Sequence, residues 1–180
     1  VQQAVQMARV LRDQLFIDGV TAFKNNKSEE WVRVSEACGL TAGLIGGIGG
    51  DRCRTVAAHA VHNGLTQIEF CKNLLHGEKV GYGILVQLRL EEILAGSNLA
   101  KQSRLQLVPF LQELKLPISL EELNLSQTSF LEFKKACQFS CNSDSDIHHL
   151  PFKVSEMELF EAIIGASQSN ISTKVNRKIN

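Results

Sequence analysis

The sequence predicts an all-α fold, a multi-helix bundle. Three observations carry this. Apolar residues recur at intervals of three and four along most of the chain. Serines followed three residues later by Glu stand where helices should begin. No stretch shows the apolar and polar alternation of a half-buried strand. A chain of 180 residues with 44% hydrophobic content can bury one substantial core. Its 19 basic and 19 acidic side chains cancel, so the net charge offers nothing to attract nucleic acid. No apolar run approaches the roughly 20 residues that span a bilayer, and the first residues lack the basic and apolar regions of a signal peptide. A cytoplasmic protein is expected, with neither membrane nor nucleic acid as partner.

The first helix is marked by Val1, Ala4, Val5, Ala8, Leu11 and Leu15. A chain that opens inside helical periodicity suggests an excised piece of a longer protein. Ser28 is a natural N-cap for the second helix, and Glu29 and Glu30 suit its positive end. Trp31, Val34, Cys38, Ala42 and Ile45 then give it an apolar stripe, and it is expected to be central. It should end in the glycine run Gly46 to Gly50, after which Asp51 can cap the next helix. That run also invites comparison with phosphate-binding loops. No strand precedes it and no Lys-Ser or Lys-Thr follows, so a tightly packed helix end is the simpler reading.

Next comes a helix through Ala57-Ala58-His59-Ala60-Val61-His62, then a long one from about Gly77 to Ala95. Gly81 and Gly83 inside the long helix imply close approach of another backbone. A helix near Leu99 to Leu114 follows. Lys115 to Leu123 reads as a turn into a short capped helix, and further helices are expected near 128–140 and 155–168. Phe130, Phe133 and Phe139 are read as core packing, since no basic residues interleave them as in a stacking platform. The domain is placed at 1–168, with a polar tail at 169–180. The five cysteines, Cys38, Cys53, Cys71, Cys137 and Cys141, are odd in number and have no C-x-x-C spacing. They are read as reduced thiols rather than as a disulfide framework or zinc knuckle.

The chemistry rests on histidines. His59 and His62, three apart, share a helical face, and Ala57, Ala58 and Ala60 leave space around them. His76 opens the long helix, followed by Gly77 and by Glu78 in the first turn, and the positive end of that helix disfavours imidazolium. Neutral imidazoles on neighbouring helices can converge on one metal ion. The alternative is structural: His59 and His62 as hydrogen-bonded core residues and His76 as a cap.

Three ordered motifs, Ala57-Ala58-His59-Ala60-Val61-His62-Asn63-Gly64-Leu65-Thr66, His76-Gly77-Glu78-Lys79-Val80-Gly81-Tyr82-Gly83 and Ile147-His148-His149-Leu150-Pro151-Phe152-Lys153-Val154, resemble the metal-dependent glycerol dehydrogenases of the iron-containing alcohol dehydrogenase superfamily. The likeness runs from near the start to about residue 166 and corresponds to the family's C-terminal, all-helical half. It implies that His59 and His76 are metal ligands, for Zn2+ or Fe2+. It also implies that His62 faces the catalytic cleft, where it places a small alcohol or polyol substrate or relays its proton. The family's remaining ligand, an aspartate in a Gly-Asp-Ala-Leu-like stretch, and its N-terminal domain binding NAD(P) have no counterpart here. The chain alone is therefore expected to be inactive. The interval from His59 to His76 is one residue shorter than usual in the family, and the loop should absorb this. Arg52 and Arg54 replace small and acidic residues, which would suit a substrate bearing phosphate or carboxylate, as in the sugar-phosphate cyclases and glycerol-phosphate dehydrogenases of the superfamily. His148 and His149 precede a proline in a turn and are read as structural. A reading of another class is a helical module that has lost catalysis and assembles as a homo-oligomer through its inter-domain face.

Overall fold

The computed structural model describes residues 2–50 and 55–168, and among these every regular element is helical. The elements are α1 (Gln2–Lys24), α2 (Glu29–Glu36), α3 (Ala42–Gly49), α4 (Ala57–Leu65), α5 (His76–Leu94), α6 (Asn98–Glu113), α7 (Phe130–Ser140) and α8 (Glu156–Gly165). No described helix is long and apolar enough to cross a membrane.

The bundle is organised around α5. Its side chains Tyr82, Leu85, Val86 and Leu90 lie in one buried cluster with Val61 and Leu65 of α4, Leu111 of α6, Phe133 of α7 and Leu159 and Ile163 of α8. Three polar ties fix the layers. The Tyr82 hydroxyl donates to the Ile163 carbonyl at 2.6 Å, joining α5 to α8. The Ser140 hydroxyl donates to the Ala60 carbonyl at 2.9 Å, joining α7 to α4. Arg104 of α6, fully buried, donates to Glu92 of α5 and to the carbonyls of Ala166 and Gln168. Burial opposes ionisation of Glu92, but Arg104 and Arg89 together hold its carboxyl below the ordinary range.

Capping explains where the later helices start. Ser129 and Ser155 each accept the N–H of the residue three ahead, Glu132 and Glu158, whose carboxylates return to the serine N–H. Ser28 caps α2 and Ser97 caps α6 in the same one-sided way. Helix α4 starts differently: the Ala58 N–H donates to the Gln87 amide of α5 at 3.2 Å. Asp51, expected as its cap, lies outside the described residues, as do Arg52, Cys53, Arg54 and the tail 169–180.

Several expectations are corrected. The helix after Ser28 is not central. A π-helical turn, Ala37–Thr41, joins α2 to α3, and none of the three segments buries a residue fully. Trp31 is 44% exposed and Leu40 68%. Their partner is α1, which offers only Ala4, Asp18, Gly19 and Ala22 as buried positions, and one helix cannot enclose a stripe. The glycines at its end are not tightly packed: a Cβ at Gly47 or Gly50 meets nothing within 4 Å, and Gly50 serves as a cap at φ 68°. Gly81 also faces open space, whereas Gly83 does approach another backbone. The short helix near 119–123 is a single turn, with Ser119 accepting the Glu122 N–H. Phe133 is in the core, but Phe130 and Phe139 are exposed. Of the described cysteines, Cys38, Cys71, Cys137 and Cys141 are free thiols.

Candidate functional site

Two small residues bring the histidines together. A Cβ on Gly83 would lie 2.4 Å from the Ala58 carbonyl oxygen, so only glycine lets α5 cross α4 at this distance. With Ala58 opposite Gly83 and His62 opposite His76, the two helices run antiparallel. The end of α4 therefore meets the beginning of α5. Helix α5 begins at His76 because the Leu75 N–H donates to the Glu78 carboxylate at 2.7 Å.

The connection from Thr66 to Leu75 is held from inside. Ile68 and Cys71 are buried, a short 3-10 turn spans Glu69–Cys71, and the Lys79 ammonium donates to the Cys71 carbonyl at 3.3 Å. Lys79 is 6% exposed. Sequence reasoning missed it, although its position three residues past His76 places it on the same face. The loop, and neither helix, carries the shortened spacing, as expected.

All three predicted histidines meet here. His62 and His59 are partly buried and His76 is exposed. His76 Nδ1 and His62 Nε2 are 3.1 Å apart, and His62 Nδ1 lies 2.9 Å from the Asn63 side-chain oxygen. The His59 and His76 ring centroids are 5.7 Å apart, those of His62 and His76 4.3 Å. Zinc–nitrogen bonds are about 2.0–2.1 Å and a ring nitrogen lies about 1.1 Å from its centroid, so two imidazoles on one tetrahedral ion sit roughly 5.2 Å apart. His59 and His76 have that spacing. His62 and His76 have the closer spacing of rings hydrogen-bonded to each other. Burial holds the His62 imidazole below its usual value, the charges of His76, Lys79 and His59 add to this, and the Asn63 bond opposes it.

The fit to a metal is partial. A pair of borderline-soft imidazole donors suits zinc or iron, yet among the described residues no three His, Cys, Asp or Glu side chains form a metal cage. Completion requires a ligand from elsewhere. His148 and His149 lie apart from the trio: they are exposed, and their rings bond the carbonyls of Asn142 and Thr55 at 2.8 and 2.9 Å. Ile147 is the residue of that turn that enters the core.

No family model matches the chain. Individual proteins do. An uncharacterized oxidoreductase of Synechocystis is 52% identical over 161 residues, which is 89% of this chain and 42% of that protein. The glycerol dehydrogenase of Pseudomonas putida is 30% identical over 167 residues, covering 93% of this chain and 44% of that protein. Among solved structures, glycerol dehydrogenase from Schizosaccharomyces pombe superposes with a TM-score of 0.77 at 29% identity, over 93% of this chain and 41% of that one. The fold and the order of its histidine motifs define the helical C-terminal half of an iron-containing alcohol dehydrogenase-superfamily protein. Within that class the chain belongs to the glycerol dehydrogenase-like family of oxidoreductases. It spans less than half the length of the curated relatives it matches.

Proposed function

We propose that this chain is the metal-binding, substrate-side domain, residues 1–168, of an NAD(P)-dependent alcohol or polyol dehydrogenase. The observation that carries the reading is the spacing of His59 and His76, across the junction of two helices that a glycine brings together. These two side chains would hold Zn2+ or Fe2+. When bound, such an ion supplies Lewis acidity toward an alcohol oxygen. His62, next to the pair and biased toward its neutral form, orients the substrate or relays its hydroxyl proton. NAD or NADP belongs to an N-terminal half that would also contribute the third ligand. Two histidines bind zinc far more weakly than a full set, so the chain alone is inactive.

Calorimetric zinc titration tests this. The subjects are this chain, its His59→Ala/His76→Ala variant, and a longer protein in which the upstream half of the Synechocystis relative precedes Val1. Weak, histidine-dependent binding by the chain and tight binding by the longer protein are expected. Zinc binding unaffected by the double substitution would overturn the assignment. A second reading, self-association without catalysis, is favoured by Leu40, Leu44 and Ile48, all exposed on one segment. Absence of zinc binding in both proteins would leave that reading in front.

A further inference from the structure

A neutral imidazole has one N–H and one lone pair, so any ring in a chain of hydrogen bonds has its tautomer dictated by its neighbours. The histidine trio contains such a chain, and it begins at a residue outside the metal assignment. The Asn63 side-chain oxygen is only an acceptor, so the His62 nitrogen 2.9 Å from it, Nδ1, must carry the hydrogen. His62 Nε2 is then the bare nitrogen and accepts, and its partner 3.1 Å away, His76 Nδ1, must be the donor. That leaves His76 Nε2 with a free lone pair.

The opposite polarity is destructive. If His62 carried its hydrogen on Nε2, it would donate to His76 Nδ1, and the His76 hydrogen would sit on Nε2, occupying the lone pair a metal needs. Free imidazole side chains in water favour the Nε2–H form, so the polarity seen here has to be imposed. Nothing else in contact with His62 Nδ1 imposes it. The carbonyl oxygens of α4 point along the helix toward its C-terminus, and the Asn63 carbonyl accepts from Thr66 and Gln67 instead.

We propose that Asn63 is a positioning residue that sets the tautomers of His62 and, through it, of His76, so that His76 presents Nε2 as a ready metal donor. This rests on the metal-domain reading above for its purpose, but the tautomer chain itself does not. Asn63 is exposed, and its substitution does not disturb the core.

Long-range proton–nitrogen correlation spectra of the imidazole rings test it on the metal-free chain at a pH where all rings are neutral. The native protein should show Nδ1–H on both His62 and His76. Asn63→Leu, which has no acceptor, should shift both rings toward Nε2–H. Asn63→Asp, which keeps an acceptor oxygen, should retain the native pattern. Zinc affinity, read separately by calorimetry, should fall about three- to tenfold in Asn63→Leu, as expected when a neutral hydrogen bond of about 1 kcal/mol is removed. An unchanged His76 tautomer in Asn63→Leu overturns the proposal whatever zinc does. A changed tautomer with zinc affinity unmoved supports the relay and overturns the assignment of His76 as a ligand.

Discussion

Glycine shows what single residues decide here. Gly81 and Gly83 sit two apart on α5, yet they have opposite roles. A Cβ at Gly83 would be 2.4 Å from the Ala58 carbonyl, while one at Gly81 would meet nothing within 4 Å. Gly83→Ala should therefore force α4 from α5 and cost about 1–3 kcal/mol, as overpacking does. Gly81→Ala should stabilise by roughly 0.5–1 kcal/mol through helix propensity alone. Urea unfolding of the two variants checks both, and a stable Gly83→Ala protein would mean that the helix crossing is looser than the geometry requires. The same pair marks how far the sequence can be read. Both glycines looked like points of close approach, because the residue type records permission for a contact and not the contact. The histidines were easier to read: His59, His62 and His76 meet as their spacing implied, since helical periodicity and a short loop leave them few other places to go. Lys79 and Asn63 escaped notice because what they do depends on which backbone or ring nitrogen lies opposite, and no local pattern encodes that.

At the scale of the element, capping decides where helices begin. Ser129 with Glu132 and Ser155 with Glu158 form reciprocal caps at the starts of α7 and α8. For Glu132 the Ser129 hydroxyl is the leading cause, and for Glu158 the Ser155 N–H, of a carboxyl held below its ordinary value. A carboxylate with a depressed folded value binds fewer protons than in the unfolded chain. Its stabilisation is complete above the unfolded value of about 4.3 and is lost as pH falls through the folded value. The Ser129→Ala/Ser155→Ala variant should lose about 1 kcal/mol per cap at pH 7, and its deficit against the native chain should narrow below pH about 4 as the carboxylates protonate. Chemical denaturation followed by circular dichroism at several pH values measures the gap. A deficit that stays constant with pH would show that the serine hydroxyls act without their glutamates. These caps were legible because a capping box is a short sequence pattern with a direct geometric meaning. The π turn at Ala37–Thr41 was not. It shifts the helical register by a fraction of a turn, and a stripe read at constant period through Trp31, Val34, Cys38, Ala42 and Ile45 ends up on no single buried face.

The whole molecule divides unequally. The main core is built from α4 to α8 and the segments between them, and no residue of α1, α2 or α3 belongs to it. Those three helices are held to the rest chiefly by α1, where the Phe16 and Phe110 rings pack at 4.6 Å and Gly19 abuts the Phe110 ring. Within the unit, Arg33 of α2 donates to the buried Asp18 carboxylate of α1 at 2.8 and 3.0 Å, which ties α2 to α1 but adds nothing to the main core. Regions with few buried apolar contacts open at lower free energy than the core around them. Native-state hydrogen exchange should therefore show α1 to α3 opening as one unit, at least about 2 kcal/mol below the amides of α4 and α5. Phe110→Ala should lower protection of that unit further and leave the amides of α5 near Tyr82 unchanged. Equal protection across all eight described helices would mean that α1 couples to the bundle more strongly than its contacts account for. The amides flanking His59, His62 and His76 belong on the protected side of this boundary, because Gly83, Lys79 and the Ala58–Gln87 bond all lie within α4 and α5 and their connection. The histidine geometry should accordingly persist while α1 to α3 are open, so that a partner covering Leu40 and Leu44 can come and go without dismantling the site beside it.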